Sequence, residues 1–557
     1  MRTHEVFLFG QTTVLVVVIS WAKAGLLSPW AEWFTSATVL GGLLGVLLLR
    51  AGDRLPFAFP WKPMVPFALF VALAGASMLN PSHNPPSQIP LDLERFEDAA
   101  LGAPALVPFV GDEFSDVLSR SEVDPGQAIA LFYRFRRDFQ DKFDRFDSPF
   151  EPFIEDYESN LKRSHAAWLP SCVTADASIW KRCCPVAILA LQAIMLWRFM
   201  GSRRLIRKLL LMIVLNGALL AIAGTLQKLS YVPGDRVKEI WGLWNAPEPR
   251  YFFSSFTYKN HWSAFALLCL GVAVSLAWRE IRLKGTLAWR QPKLAVCLVA
   301  ALFIGITIPL SGSRSGTFLL IILLILLAIF AGWIVTRNFD TSKKRWAAFG
   351  GTAFACSLTL GAMVWFGFNL DRETKSEAVG NTLQQWENYQ KGSPPMRYYL
   401  WKDTFKMFLD KPIFGHGLGS FRALHPIYQS EEYKREREYG LASAHRKLKP
   451  LTEHSHNDLL QYLAEIGAIG VALLLLVPTL GIWQNRKSVF STTPDWSLVG
   501  CILFAIYSFV DFPTRTPACL LLLSLTLSLA LKHASLEKER LGRQRNGQTE
   551  KKSCLTS

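Results

Sequence analysis

The sequence lacks the residue spacings that mark several common kinds of site. It has nine cysteines in 557 residues, and they form no paired Cys-x-x-Cys or Cys/His spacing of the kind that builds a structural metal site. It has no glycine-rich nucleotide-binding loop and no internal repeat of about 20–50 residues. The sequence therefore predicts no metal and no cofactor.

Charge is also scarce over long stretches of the chain. Half of the residues are hydrophobic, and repeated apolar runs of roughly 17–25 residues are each long enough to cross a bilayer as a helix. They do not alternate with amphipathic elements, so the sequence predicts an all-α polytopic membrane protein. The first run lacks a small-residue cleavage site and is interpreted as an uncleaved helix. About twelve spans are predicted, near 5–24, 32–50, 63–79, 184–200, 206–225, 261–280, 294–310, 316–336, 346–368, 457–483, 495–511 and 515–532.

The positive charge follows the predicted spans. The formal net charge is +16, which in a soluble protein would suggest nucleic acid. In membrane proteins, lysine and arginine concentrate in cytoplasmic loops, and here the basic clusters follow only even-numbered spans. We therefore expect no nucleic-acid partner, and we expect both termini to be cytoplasmic.

The predicted loops divide the chain into six regions. The stretch 80–183 carries 18 acidic against 11 basic residues and includes a helix-like segment at Ala128–Phe139, so a small extracytoplasmic domain is expected there. The predicted regions are 1–79 with helices 1–3, the acidic insert 80–183, 184–368 with helices 4–9, a large outer loop 369–455, 456–532 with helices 10–12, and a basic cytoplasmic tail 533–557.

Polar residues at the ends of spans form the candidate site. The segment His454–Gly470 opens the tenth predicted span, and such side chains are costly in hydrocarbon, so they indicate function. Within it, His456 is the candidate base, Asn457 is its expected support and His454 is expected to be more exposed. The alternative interpretation is a structural histidine beside apolar residues.

Two arginines are expected on the same side of the membrane. Arg314 lies in the Ser-Gly turn 311–316 before the eighth span, where helix N-terminal N–H groups and a guanidinium favour an anion. Arg397 shares a predicted helix face with Trp401, Phe405 and Phe408. The alternatives are an arginine that snorkels to the interface and a cation–π contact that only holds the loop.

Two arginines and a histidine suit a phosphorylated substrate. Arginines would bind a diphosphate and stabilise its charge as it leaves, and a neutral histidine would take a proton from an attacking hydroxyl. A transporter for an anionic solute is the competing interpretation, and it predicts broken helices with charges near the bilayer midplane. The polar clusters lie at span ends instead, which favours surface chemistry on a lipid-linked substrate.

These segments resemble the O-antigen ligase and O-antigen polymerase superfamily of bacterial envelope glycan enzymes. His456-Asn457, nine residues, Gly467, two residues and Gly470 are similar to the signature histidine segment of the ligases. The stretch Ser313–Gly316 resembles the Ser-Arg-Ser/Gly turn of the family.

Two further segments extend the resemblance. Arg397 with Trp401, followed by Pro412–Phe421, resembles the segment that precedes the histidine, and Lys259–Phe265 resembles an Asn-His-Phe-Ala pattern of these enzymes. The similar region spans about 250–516. The turn at Asp511 is reminiscent of exopolysaccharide polymerases of the same superfamily, so a polymerase is the alternative to a ligase.

The resemblance implies a function and a set of site residues. It implies a GT-C-like fold and a glycosyltransferase at the periplasmic face of the inner membrane, which takes a glycan from an undecaprenyl-diphosphate donor by inversion and without a metal. The acceptor would be a glycan, lipid A core or another hydroxyl, although the large acidic insert departs from a typical ligase. The implied catalytic residues are His456, Arg314 and Arg397, and the implied substrate-binding residues are Asn260, His261, Ser313, Asn457 and Trp401.

Overall fold

The fold was analysed on a computed structural model of the full chain. The part of the chain that the structure describes comprises residues 2–27, 29–50, 61–89, 124–143, 151–175, 178–230, 239–245, 252–337, 396–433, 452–489 and 495–556, with single positions at 350, 357, 361 and 365.

Helices dominate the described residues. One short antiparallel hairpin pairs β1 (Glu239–Ile240) with β2 (Trp244–Asn245). The helices are α1 Thr3–Trp21, α2 Trp30–Leu49, α3 Trp61–Ser77, α4 Pro125–Phe143, α5 Glu151–Leu161, α6 Ser178–Phe199, α7 Arg203–Leu229, α8 Lys259–Lys284, α9 Pro292–Leu310, α10 Arg314–Arg337, α11 Met396–Asp410, α12 Phe421–Tyr428, α13 Asp458–Val489, α14 Trp496–Tyr507 and α15 Pro517–Thr556.

Eight of the described helices are long and apolar enough to cross a membrane, which confirms the all-α polytopic class. Shorter apolar helices coincide with three more predicted spans, at Lys62–Ser77, Cys183–Phe199 and Trp496–Tyr507. The predicted ninth span, 346–368, lies outside the described residues apart from four single positions. The total of twelve and the GT-C-like architecture therefore stay predictions. The eight spans are Thr3–Trp21, Trp30–Leu49, Arg203–Leu229, Lys259–Lys284, Pro292–Leu310, Arg314–Ile334, Asp458–Arg486 and Pro517–Glu539.

The chain divides into two compact units. Unit one comprises Met1–Pro60, Ala187–Glu387 and Gly481–Ser557, and unit two comprises Trp61–Val186 and Asn388–Leu480.

Unit one is built around α8. This helix is buried along most of its length, with Trp262, Phe265 and Leu268 in the core, and it packs against α7, α9 and α14. A Cβ added at Gly271 would lie 2.9 Å from the Cα of Gly500 in α14. The two backbones approach so closely because both contact positions are glycines, a common device between membrane helices.

Unit two contains a second core, formed by shorter helices. Its buried aromatic residues include Phe132 of α4, Tyr157 of α5 and Phe421 of α12. The helix-like segment predicted at Ala128–Phe139 lies within α4, so that prediction is confirmed. Apolar side chains thus give this unit a packed core although much of it is polar in sequence.

Candidate functional site

In unit one, the start of α8 carries a buried polar pair. The Asn260 side-chain amide donates to the Asp511 carboxylate and, over 2.9 Å, to the Tyr258 hydroxyl. Asp511 is fully buried. A buried carboxylate needs hydrogen-bond donors to offset the loss of hydration, and Asn260 is one of them. The sequence placed these two residues in different patches, and the structure brings them together.

His261 faces the same turn. Its Nδ1 lies 2.6 Å from the Thr516 hydroxyl oxygen. Its ring packs edge-on against Phe512, with 4.7 Å between ring centroids. The turn at Phe512–Thr516 therefore contacts a predicted substrate-binding histidine through the Thr516 hydroxyl and the Phe512 ring.

Ser313 has a structural role at the start of α10. Its hydroxyl oxygen lies 2.7 Å from that of Tyr507 and accepts the backbone N–H of Gly316 at 3.3 Å. It is buried, whereas Arg314, the first residue of the helix, is exposed. A Cβ at Gly316 would lie 2.5 Å from the Cβ of Ser263, so the glycine allows this close approach. The helix therefore begins at Arg314, two residues before the predicted span and inside the predicted turn 311–316.

In unit two, His456 sits in an unusual backbone conformation. Its φ is +54°, in the left-handed region that few non-glycine residues adopt. The next residue, Asn457, accepts the Leu460 N–H on its side-chain oxygen at 2.9 Å and so caps α13. His456, the predicted base, and His454, which was expected to be more exposed, are both half-buried. Burial therefore does not distinguish the two histidines. Asn457 therefore positions the start of α13 as its N-cap. The sequence indicated this role, because asparagine is favoured at helix N-termini.

A buried relay connects this turn to α13. The Ser455 N–H donates to the Gln461 side-chain oxygen at 3.1 Å, and the Gln461 amide donates to one Glu465 oxygen at 2.9 Å. The other Glu465 oxygen accepts the Gly419 N–H at 2.9 Å. Ser455, Gln461 and Glu465 are all buried. Glu465 thus binds residues 414–421, which contain three glycines and are called the glycine-rich turn. The sequence did not indicate this contact.

α13 is interrupted at Gly467. This glycine has φ +64° and ψ −176°, so two helical stretches meet at a break. Ala468 N–H donates to the Pro412 carbonyl at 2.8 Å, and a Cβ at Gly467 would lie 2.2 Å from the Ile413 carbonyl oxygen. The close neighbour of Gly467 is therefore the backbone of the Pro412–Phe414 turn.

The prediction for the face of α11 holds only in part. The structure buries Leu400, Asp403, Thr404 and Met407. On the predicted aromatic face, Phe408 packs against the unit-two core, whereas Phe405 is exposed and Arg397 and Trp401 are half-buried. The packed face also includes Asp403, whose Oδ2 accepts the Ser430 N–H and hydroxyl at 2.9 and 3.0 Å.

A histidine that the sequence did not select lies in the glycine-rich turn. His416 is buried, and its Nε2 lies 2.9 Å from the Met407 carbonyl oxygen. Burial, which disfavours the charged imidazolium, lowers the pKa of His416 to about 4. In the sequence, the feature that could have indicated this histidine is that glycines flank it on both sides. The low pKa keeps the His416 imidazole neutral near pH 7.

No group of three or more His, Cys, Asp or Glu side chains in the described part of the chain is placed to hold a metal ion. The expectation of a metal-independent reaction stays a prediction.

The comparisons with known proteins agree with the sequence motifs. The O-antigen ligase family model matches residues 298–475, roughly a third of the chain. A protein of Rickettsia typhi, whose name describes a candidate polysaccharide ligase, is 26% identical over 126 residues. That alignment covers 21% of this chain and 29% of the relative, so the chain matches less than a third of the relative's length. The resemblance to the O-antigen ligase superfamily is confirmed by these matches.

The family match also bears on the candidate residues. Arg314, Arg397 and His456 all fall inside 298–475, whereas Asn260 and Asp511 lie outside it. The chain is therefore a multi-pass membrane protein with a region, 298–475, that resembles the O-antigen ligase family and includes the three predicted catalytic residues.

Proposed function

We propose that this protein is a glycosyltransferase of O-antigen ligase type that moves a glycan from undecaprenyl diphosphate to an acceptor hydroxyl at the periplasmic face. The observation that carries the proposal is the O-antigen ligase match over 298–475, which includes Arg314, Arg397 and His456. Lipid A core, a growing polysaccharide and another hydroxyl compound are the candidate acceptors.

The proposed step is a single displacement. His456 takes the proton from the acceptor hydroxyl as its oxygen attacks the anomeric carbon, and the bond from that carbon to the diphosphate oxygen breaks. The configuration inverts, and undecaprenyl diphosphate leaves with the bonding electron pair. The fixed left-handed backbone at His456 supports this role, since a general base must be held in one orientation.

The arginines are proposed to bind the leaving diphosphate. Arg314 is exposed as the first residue of α10, where the helix N-terminus favours negative charge. Arg397 is the half-buried second residue of α11. Arg314 belongs to unit one, and Arg397 and His456 belong to unit two, so each residue is tested by its own variant.

A polymerase of the same superfamily is the second candidate. It would use the same donor, but its acceptor would be another lipid-linked glycan. The buried Asp511 turn favours this alternative, because it is the segment that is reminiscent of the exopolysaccharide polymerases and it binds the predicted residue Asn260.

The test uses purified full-length protein in liposomes with a radiolabelled undecaprenyl-diphosphate glycan. Transfer to lipid A core with release of undecaprenyl diphosphate supports a ligase, and chain growth on the lipid alone supports a polymerase. Lipid movement across the bilayer without any release would instead indicate a transporter. Chelation of divalent ions should leave the transfer rate unchanged.

The arginine variants refine the test. Arg314→Lys and Arg397→Lys keep the charge but remove the two-pronged geometry that suits a diphosphate, so each should slow transfer by about 100-fold. The matched control is Arg486→Lys, since Arg486 stacks on Trp483 at 4.1 Å and has no proposed substrate role. Equal rates for all three variants would contradict the diphosphate assignment.

A further inference from the structure

A short loop in unit two is held in one shape by backbone hydrogen bonds at both of its ends. This stretch, residues 163–171, is called the Trp168 loop. Arg163 N–H donates to the Ser82 carbonyl at 2.9 Å, and Ser82 N–H donates to the Cys172 carbonyl at 2.9 Å. Both ends of the loop are therefore fixed to the segment that follows α3.

The tip of the Trp168 loop is also fixed. The Asn80 side-chain amide donates to the carbonyls of Ala166 and Pro170 at 2.9 and 3.1 Å, and its oxygen accepts the Ala166 N–H at 3.0 Å. Leu169 N–H closes a turn onto the Ala166 carbonyl at 3.1 Å. One asparagine thus holds the turn that carries Trp168.

This ordered turn presents apolar side chains outward. Trp168 is 76% exposed and Leu169 is 38% exposed, and Leu79, next to the clamping Asn80, is 88% exposed. Single exposed apolar residues are ordinary, but several of them on one rigid turn mark a contact surface.

The surface continues towards two apolar helices. Lys411 Nζ lies 2.8 Å from His165 Nε2 and donates to the Ser171 hydroxyl at 3.2 Å, and Ile413, two residues on, is 56% exposed. The Ile413 carbonyl accepts the N–H of Ile469, an exposed residue of the candidate span in α13. On the other side, Leu79 follows α3, which exposes Val65 and Leu69.

The charge of the loop differs from that of its surroundings. The acidic insert 80–183 has an excess of seven acidic residues, 18 against 11, yet 162–171 contains no Asp or Glu and includes Lys162, Arg163 and His165. Lys162 pairs with Glu158 at 2.6 Å, and the Arg163 side chain is exposed. A tryptophan beside a cation is typical of the boundary between lipid headgroups and acyl chains.

We propose that the Trp168 loop, with Leu79 and Ile413, inserts into the headgroup–acyl boundary of the bilayer and anchors unit two to the lipid surface. The occupant is phospholipid, because the exposed apolar residues continue into those of two apolar helices and the exposed charged residues of the stretch 162–171, Lys162 and Arg163, are basic. This inference does not depend on the proposed glycan transfer.

The anchor is linked to the His456 segment through backbone contacts. A Cβ at Gly417 would lie 2.6 Å from the Ser171 carbonyl oxygen, and Gly417 N–H donates to the Glu465 carbonyl at 2.7 Å. How deeply the Trp168 loop enters the lipid therefore determines how far the glycine-rich turn lies from the membrane surface. It determines the same distance for the hydrogen bonds that join Glu465, Gln461 and Ser455.

The test places a photoreactive residue on the surface. Full-length protein with p-benzoylphenylalanine at Trp168 is reconstituted in liposomes of phosphatidylethanolamine and phosphatidylglycerol, irradiated and digested for mass spectrometry. We expect phospholipid adducts at 168 at least tenfold more often than at the control position, Glu155, which is exposed on α5. A second variant carries the probe at Leu169 in case the first does not fold.

The other outcomes would overturn the proposal. Equal lipid labelling at positions 168 and 155 would mean that the loop faces water. A cross-linked dimer on a gel would show that a second copy covers the surface, and a cross-link within the chain would show that another segment does. Each of these results is independent of whether the protein transfers a glycan.

Discussion

Two regions, one in each unit, hold their buried polar residues in different ways. At the starts of α8 and α10 in unit one, side chains from distant parts of the chain bind each other, as in the pairs Asn260–Asp511 and Ser313–Tyr507. At Glu465 in unit two, the carboxylate binds the Gln461 side chain and also a backbone group, the Gly419 N–H. The first contacts depend on the two side chains that meet, and the contact with Gly419 depends also on a backbone conformation that glycine adopts easily.

The difference predicts which kind of substitution destabilises each region. A truncation in unit one leaves a buried partner without one of its hydrogen bonds, which costs about 1–3 kcal/mol. At Gly467 in unit two, an added methyl group would meet the backbone of the Pro412–Phe414 turn and can displace that turn. Five predictions test this comparison, from the largest expected effect to the smallest.

His456→Ala should reduce glycan transfer by about 100- to 10,000-fold, since a positioned general base contributes that much. The transfer rate in liposomes is the measurement, and His454→Ala is the matched control because both histidines are half-buried. If the two variants lose equal activity, His456 is not the specific base.

Gly467→Ala should lower the free energy of unfolding of unit two by about 4 kcal/mol, because the backbone region is almost restricted to glycine and the methyl group meets the Ile413 carbonyl. Thermal unfolding in detergent measures this loss. Gly75→Ala in α3 is the control, since nothing lies within 4 Å of the added methyl group, and it should be neutral or slightly stabilising. Equal stability of the two variants would contradict the role of the break.

Glu465→Gln should lower the free energy of unfolding by about 3 kcal/mol. Both carboxylate oxygens of Glu465 accept hydrogen bonds, and the amide of glutamine would have to point its NH2 donor at the donor of Gln461 or of Gly419. Faster hydrogen exchange at the Gly419 amide is the expected signature. The control is Glu453→Gln at an exposed glutamate. Unchanged hydrogen exchange at the Gly419 amide would show that Glu465 does not stabilise the hydrogen bond there.

Acid should destabilise unit two through His416. Its pKa of about 4 in the folded state lies below the ordinary value of 6.5, so below pH 6.5 the unfolded state binds a proton that the folded state does not. The stabilisation is complete above pH 6.5 and is lost as the pH falls towards 4, by about 2 kcal/mol between pH 6.5 and 5. His416→Gln should unfold with a flatter pH dependence, and identical slopes would refute the assignment.

The smallest effect is expected at the Ser313–Tyr507 pair of unit one. A double-mutant cycle with Ser313→Ala and Tyr507→Phe should give a coupling energy of about 1 kcal/mol, as is usual for a neutral hydrogen bond. Thermal unfolding of the four proteins supplies the cycle. Strictly additive losses would show that the two hydroxyls do not interact.

The sequence predicted features that depend on neighbouring residues. Apolar runs located the helices, and the Ser-Gly turn 311–316 located the start of α10, at Arg314, to within two residues of the predicted span. It could not pair Asn260 with Asp511, since 251 positions separate them and nothing local indicates the contact. Spacing also could not show that Asp403 would be buried, because its hydrogen-bond donor, Ser430, lies 27 positions further along the chain.

The break at Gly467 has a consequence for cooperativity. The stretch of α13 before it runs only from Asp458 to Ile466, about two and a half turns, and helices so short are marginal in water without tertiary support. That support comes from the Asn457 cap and the glycine-rich turn. The helical stretch after His456 and the turn at Gly419 should therefore open and close as a single local folding unit.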